Sequence, residues 1–454
     1  MRKKLFTTII SALIAIYAFA YSGGNGSKDN PYLISSKADM EQLATNVNGG
    51  QTYEGIYFLL TRDLTGENDT ITTVVGRVYD SKFFSGIFNG SGYEIAVKNS
   101  LTINGGQYSV YNIDGGVFGF IQKATILNLK VSGYISLSKG FNAEINIGGV
   151  CGYSVNSNIH NCSNNCNIFI SDRNWIYSGG ICGRSELDTN IANCYNTGSV
   201  YANINALSAY SGGISGTGGT ITNCYNIGDI SGKSSTGISG GIATITNCYN
   251  TGNILSTSTA GGIGGGTIQN CFVANCEITN GTDATRANIG RINFSNANTN
   301  NCYADGNITL NGDAISSQNT NSKDGKDATL VNFQNQSWLQ SSLNWDFENT
   351  WGMSDISSVN QGLPIFKTQL SSTSIEVPNT VFLQIYPNPA QNFIHIKSKI
   401  SIEKIEIYNQ SGQCVLINDN VSEKLDISSL QSGFYLARIY TNGNQTIKKI
   451  IINK

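Results

Sequence analysis

Charge is scarce in this chain of 454 residues, and histidine and proline are scarcer still. Asp, Glu, Lys and Arg make up 13% of it, where about 25% is typical of globular proteins. The formal net charge of −2 argues against nucleic acid or an anionic membrane as the main partner. His160 and His395 are the only two histidines, so a zinc-protease His-Glu-x-x-His helix is excluded. Five prolines and a low net charge are also unlike a disordered chain, which more often carries many of one or much of the other. What remains is rich in small and polar residues: 51 glycines beside an apolar fraction of 40%. That mixture points to short strands, many turns and a real core.

The first 20 residues read as an export leader. Arg2, Lys3 and Lys4 precede an apolar run from Leu5 to Phe19, and Ala18-Phe19-Ala20 fits small-x-small processing, so cleavage is expected after Ala20. The run is too short and too poorly flanked for a membrane anchor, and no later segment is expected to span a bilayer. Ser35 and Ser36 then suit a helix start, with Met40, Leu43, Ala44 and Val47 at helical spacing. One short helix is predicted at about 37–47, and strands follow from Tyr53.

Between about 115 and 310 the sequence repeats. Gly179-Gly180-Ile181-Cys182-Gly183 precedes Ile191-Ala192-Asn193-Cys194-Tyr195-Asn196. Gly212-Gly213-Ile214 likewise precedes Ile221-Thr222-Asn223-Cys224-Tyr225-Asn226, and Gly240-Gly241-Ile242 precedes Ile245-Thr246-Asn247-Cys248-Tyr249-Asn250. Looser copies surround Cys162, Cys271 and Cys302, at intervals of 23 to 32 residues. Such a period suits one coil of a β-solenoid, which buries its apolar side only against its neighbours.

These units resemble GLUG-type repeats of bacterial surface and secreted proteins, and the likeness extends over about 29–367. It implies an all-β fold, a right-handed parallel β-helix with short helical caps, and it says little about activity. From about 381 Lys and Glu rise and strands alternate cleanly, as in a small antiparallel β-sandwich with a Ser411-Gly412 hairpin. Its Tyr386-Pro387-Asn388-Pro389 opening, Ser432-Gly433-Phe434-Tyr435 strand and Lys-rich end are very similar to the C-terminal sorting domain of the type IX secretion system. The resemblance implies the type IX machinery as a partner and an outer-surface or secreted location. The expected order is a leader (1–20), a cap with the first coils (21–110) and GLUG-like coils (111–310). A closing segment (311–370), a processing link (371–380) and the sorting domain (381–454) complete it.

Chemistry has few candidates. His160, Cys162 and Cys166 match no closed zinc motif, and His160 reads as a turn residue. Asp324-Gly325-Lys326-Asp327 is loosely calcium-loop-like, yet a polar turn explains it as well. Glu144, Asp172, Glu186, Asp188, Asp229, Glu277 and Asp283 share no column of the repeat, which weakens a lyase or hydrolase reading. No cofactor, metal or catalytic residue is therefore expected. Ten of the eleven cysteines lie between 151 and 302, and their period favours an inward ladder of buried thiols over disulfides. The preceding asparagines, Asn161 to Asn301, should hold left-handed bends and bond from coil to coil. If cysteine points inward, Tyr195, Tyr225, Tyr249, Phe272 and Tyr303 point outward. They are then either an exposed ligand-contact stripe or simple coil-to-coil stacking. The reading is a binding or adhesion module with glycans or host and matrix ligands in view. A carbohydrate-active enzyme and a structural surface component are the alternatives.

Overall fold

The computed structural model describes residues 21–101, 112–137, 143–186, 188–280, 288–295, 298–316, 318–355, 358, 360–371, 383–386, 390–398, 401–408, 414–419, 424–441, 444–452 and 454. The leader, the link at 372–380 and the turn at Ser411-Gly412 lie outside these. The chain forms two compact units that part between Lys367 and Thr368.

The first unit is a parallel β-helix with three parallel sheets of ten, four and nineteen strands among the described residues. One coil shows the plan. It runs through Trp175–Gly179, Cys182–Glu186, Asn190–Ala192, Tyr195–Asn196 and Val200–Ala202. Each strand pairs in register with its counterpart a coil away, at a spacing of about 4.8 Å. Identical positions therefore stack. Ile126, Ile159, Ile191, Ile221, Ile245 and Ile268 form one inward column, all fully buried. Each such side chain contributes roughly 1.5–3 kcal/mol of hydrophobic stabilisation.

The link between the glycines and the Asn-Cys-Tyr-Asn unit is steric. A Cβ on Gly180, Gly213 or Gly237 would fall 2.3 Å from the side-chain carbon of Asn196, Asn226 or Asn250. Only glycine leaves room for that amide. Gly237 corrects one alignment expected from sequence: Gly237-Ile238-Ser239-Gly240, not Gly240-Gly241-Ile242, stacks on Gly213-Ile214-Ser215-Gly216. Ile238 is fully buried, whereas Ile242 is 75% exposed.

Both ends of the helix are closed. Helix α1 (Lys37–Asn48) begins at Ser36, whose hydroxyl accepts from the Asp39 amide, and buries Met40, Leu43, Ala44 and Val47. Tyr21 joins this cap, its hydroxyl 2.7 Å from that of Tyr53. At the far end the fully buried Arg291 donates to the carbonyls of Asp324 and Gly325 and to the Asp327 carboxylate. Asp324 and Asp327 thus serve an arginine plug, in place of the calcium-like turn considered from sequence. Two short helices, α2 (Leu330–Phe333) and α3 (Gln336–Leu343), then lead to an antiparallel pair, Trp351–Met353 with Pro364–Phe366.

The second unit holds antiparallel sheets of three and four strands. Ile394, Ile396, Ile405, Ile407, Ile439 and Ile450 form its separate core.

Candidate functional site

Strand alternation decides what each residue of the repeat does. In Cys194-Tyr195-Asn196 the cysteine points in, the tyrosine out and the asparagine in. Cys162, Cys194, Cys224, Cys248, Cys271 and Cys302 are buried, and all eleven cysteines are free thiols. Each of the middle sulfurs lies 3.2–3.3 Å from the carbonyl two residues earlier, as Cys194 does from Ala192. Burial pushes the Cys162 thiol well up and the Cys166 thiol up to about 12. His160 is half-buried, with desolvation lowering its basicity. Among the described residues no group of three His, Cys, Asp or Glu is placed to hold a metal.

Two amide ladders flank the thiols. Asn161, Asn193, Asn223, Asn247, Asn270 and Asn301 take φ values of 51° to 55°. Successive side chains of this column are joined by bonds of 2.8–3.3 Å. The second ladder went unnoticed in the sequence. The fully buried Asn164, Asn196, Asn226 and Asn250 donate one to the next at 2.7–2.8 Å.

The aromatic column does point away from the axis, but an exposed stripe does not result. Tyr195, Tyr225, Tyr249 and Phe272 stack with centroids 4.8–5.0 Å apart and planes within 8°. The closing segment lies over them. Phe333, Trp345, Trp351 and Phe366 bury Tyr225, Tyr249 and Phe272, leaving Tyr195 and Tyr303 half-buried. Tyr249 donates to the Pro364 carbonyl at 2.6 Å and accepts from Asn360 at 2.7 Å, while the Trp345 indole donates to Asn270. The rings are taken up by the chain itself because stacked apolar faces, once outside the helix, still need cover from water.

Other rings remain uncovered. Phe169 and Tyr201 are register neighbours, 54% and 41% exposed. Trp175 is 53% exposed and sits one coil from Glu144. Beside it three strands converge. Arg184 pairs with Glu144 at 2.6 Å and with Glu186, and its guanidinium lies 5.3 and 4.8 Å from the ring centres of Tyr153 and Tyr177. Tyr153 donates to Glu186 at 2.6 Å, and burial followed by that bond holds its phenol protonated. Asn146 gives its amide nitrogen to Asp114 at 3.1 Å and Glu144 at 3.4 Å. Burial, with Glu144 and Asp80 near, pushes the Asp114 carboxyl up to about 6 against the bonds from Val78 and Asn146.

Glu144 and Glu186, which share no repeat position, are thus brought together by Arg184. Asp114, Asn146, Tyr153, Trp175 and Arg184 were not anticipated, since none recurs in the repeat. Asp229 meets none of them; its carboxylate accepts from the Asn253 amide on the next coil.

Residues 384–453 match the secretion system C-terminal sorting domain. The chain carries a type IX sorting tail. Such a tail directs export to the cell surface or the extracellular space, and the type IX machinery is its partner. Residues 176–201 match the GLUG motif, which covers the Gly179–Gly183 turn and the Asn193–Asn196 column positions. Beta-agarase D of Zobellia galactanivorans is 36% identical over 73 residues, 16% of this chain and 15% of that protein. The chain therefore spans about a seventh of that relative's length. A crystal structure from Bacteroides ovatus, described as a "putative immunoglobulin A1 protease", aligns over 76% of this chain and 95% of its own with 20% identity and a TM-score of 0.47.

Proposed function

We propose that the exported β-helix is a binding or adhesion module, with 21–370 as the working part and 381–454 serving delivery. The exposure of Phe169, Trp175 and Tyr201 carries the reading. Rings left in water on a rigid sheet offer large contact area at little entropic cost. The covered Tyr225–Phe272 column makes the contrast sharper, since the same chain had aromatic cover available and used it elsewhere. Screening the purified protein against glycans and matrix proteins, with both retention and product release followed, tests the reading. Retention without turnover supports it; release of shortened products refutes it.

A carbohydrate-active enzyme remains the second reading because Asp114, Glu144 and Glu186 converge. Paired carboxyls within reach of one another are what acid–base cleavage of a glycosidic bond requires. Here, though, Arg184 and Asn146 occupy the space beside these carboxylates, which suits a held ligand better than a reacting one.

A further inference from the structure

Trp175 and the polar network beside it occupy one small lattice on the outside of the coils. Glu144 and Trp175 are register partners, as are Asp114, Asn146 and Tyr177 in the next column. Strand positions two apart lie about 6.6 Å from one another, and coils about 4.8 Å apart. Arg184 and Glu186 reach this lattice from the four-stranded sheet.

We infer that Trp175 with the Glu144–Arg184–Glu186 network forms a subsite for a neutral, hydroxyl-rich oligosaccharide. This rests on the binding reading above. The indole offers an exposed flat face for the apolar side of a sugar ring. The network remains within reach of a ligand, its three side chains 24% to 37% exposed. A carboxylate accepts about four hydrogen bonds and a guanidinium donates five, so capacity is left for vicinal hydroxyls. Tyr153 and Tyr177 hold Arg184 in place, which lowers the ordering cost of binding. Within the cluster the fully buried Asn146 has an amide oxygen with no hydrogen-bond partner. A hydroxyl or water entering there would satisfy it. Two carboxylates against one guanidinium leave the trio at −1, which disfavours sulfated or uronate chains.

Calorimetry on the purified exported protein tests the subsite with neutral, sulfated and uronate oligosaccharides. Neutral chains should bind. Trp175→Ala should weaken them at least tenfold, Trp175→Phe should restore most of the loss, and Arg184→Gln should weaken them severalfold. Ile242→Ser, also exposed but off this face, should change nothing. Trp175 is exposed, so its variants should melt as the parent does. Unchanged glycan affinity in Trp175→Ala would overturn the subsite while the binding reading stands. Preference for anionic chains, or for protein ligands alone, would overturn the ligand class. A protein that retains no ligand of any class would take the binding reading down with it.

Discussion

At the scale of single residues, two side-chain types are used against their usual habits. Asparagine holds a left-handed bend at Asn193, which most residues occupy only at a cost of about 1–2 kcal/mol. Asn193→Ala should therefore lower stability by about 1–2 kcal/mol in urea unfolding, and Asn193→Gly by less, because only the ladder bond is then lost. The cysteines are equally constrained. Labelling of the native protein with a thiol reagent should be slow at the ten buried positions and become complete on unfolding, whereas rapid labelling of many thiols would refute the packed ladder. Asp114 supplies a pH dependence whose sign is fixed by its environment. Its carboxyl is raised from 3.8 to about 6 in the fold, so the folded chain binds the proton more tightly than the unfolded one. That contribution is full below about 3.8 and is lost as pH rises through about 6. Its size is of order 2–3 kcal/mol. Melting temperature should fall across this window and Asp114→Asn should flatten the fall.

At the scale of elements, the closing segment depends on ring-to-ring contact more than on its short helices. Trp345 and Trp351 stack at 4.4 Å, and Trp351 is fully buried against Tyr225, Tyr249 and Phe366. Replacing a buried ring by alanine costs about 3–5 kcal/mol. Trp351→Ala should loosen 330–366, raise binding of a hydrophobic dye and speed proteolysis there, with the β-sheet signal of the coils retained. Loss of that signal would mean that the segment supports the coils themselves. This cover is also where sequence reasoning fell short. The alternation in Cys194-Tyr195-Asn196 shows which way each residue faces, since strand geometry alone decides it. What lies against the outer face depends on Phe333, Trp345, Trp351 and Phe366, up to about 170 positions further on, and no local pattern connects them to the tyrosines. The slip at Gly240 has a similar cause. Glycine-rich runs align equally well in several registers until the Asn250 amide selects Gly237.

At the scale of the molecule, the two units have separate cores. A chain ending at Lys367 should keep the thermal transition of the β-helix yet accumulate in the periplasm, which fractionation would show. The solenoid itself was legible in the 23- to 32-residue interval, and so was the tail in its motifs. The Glu144–Arg184–Glu186 network was not legible, because Glu144 comes from a different coil and a different repeat position than Arg184 and Glu186. A repeat advertises what every coil needs, and a site made once leaves no such trace.

The reach of the closing segment sets a direction for growth. Its rings seat on the column from Tyr195 to Tyr303, while the coils before Tyr195 present Ser163 and Lys130 at that position. Whole coils inserted on the Ser163 side would leave every one of those contacts intact. Coils inserted between Tyr195 and Tyr303 would stretch the column beyond the segment that covers it. Relatives of different length should thus differ ahead of Tyr195, with the covered stretch kept to a constant number of turns.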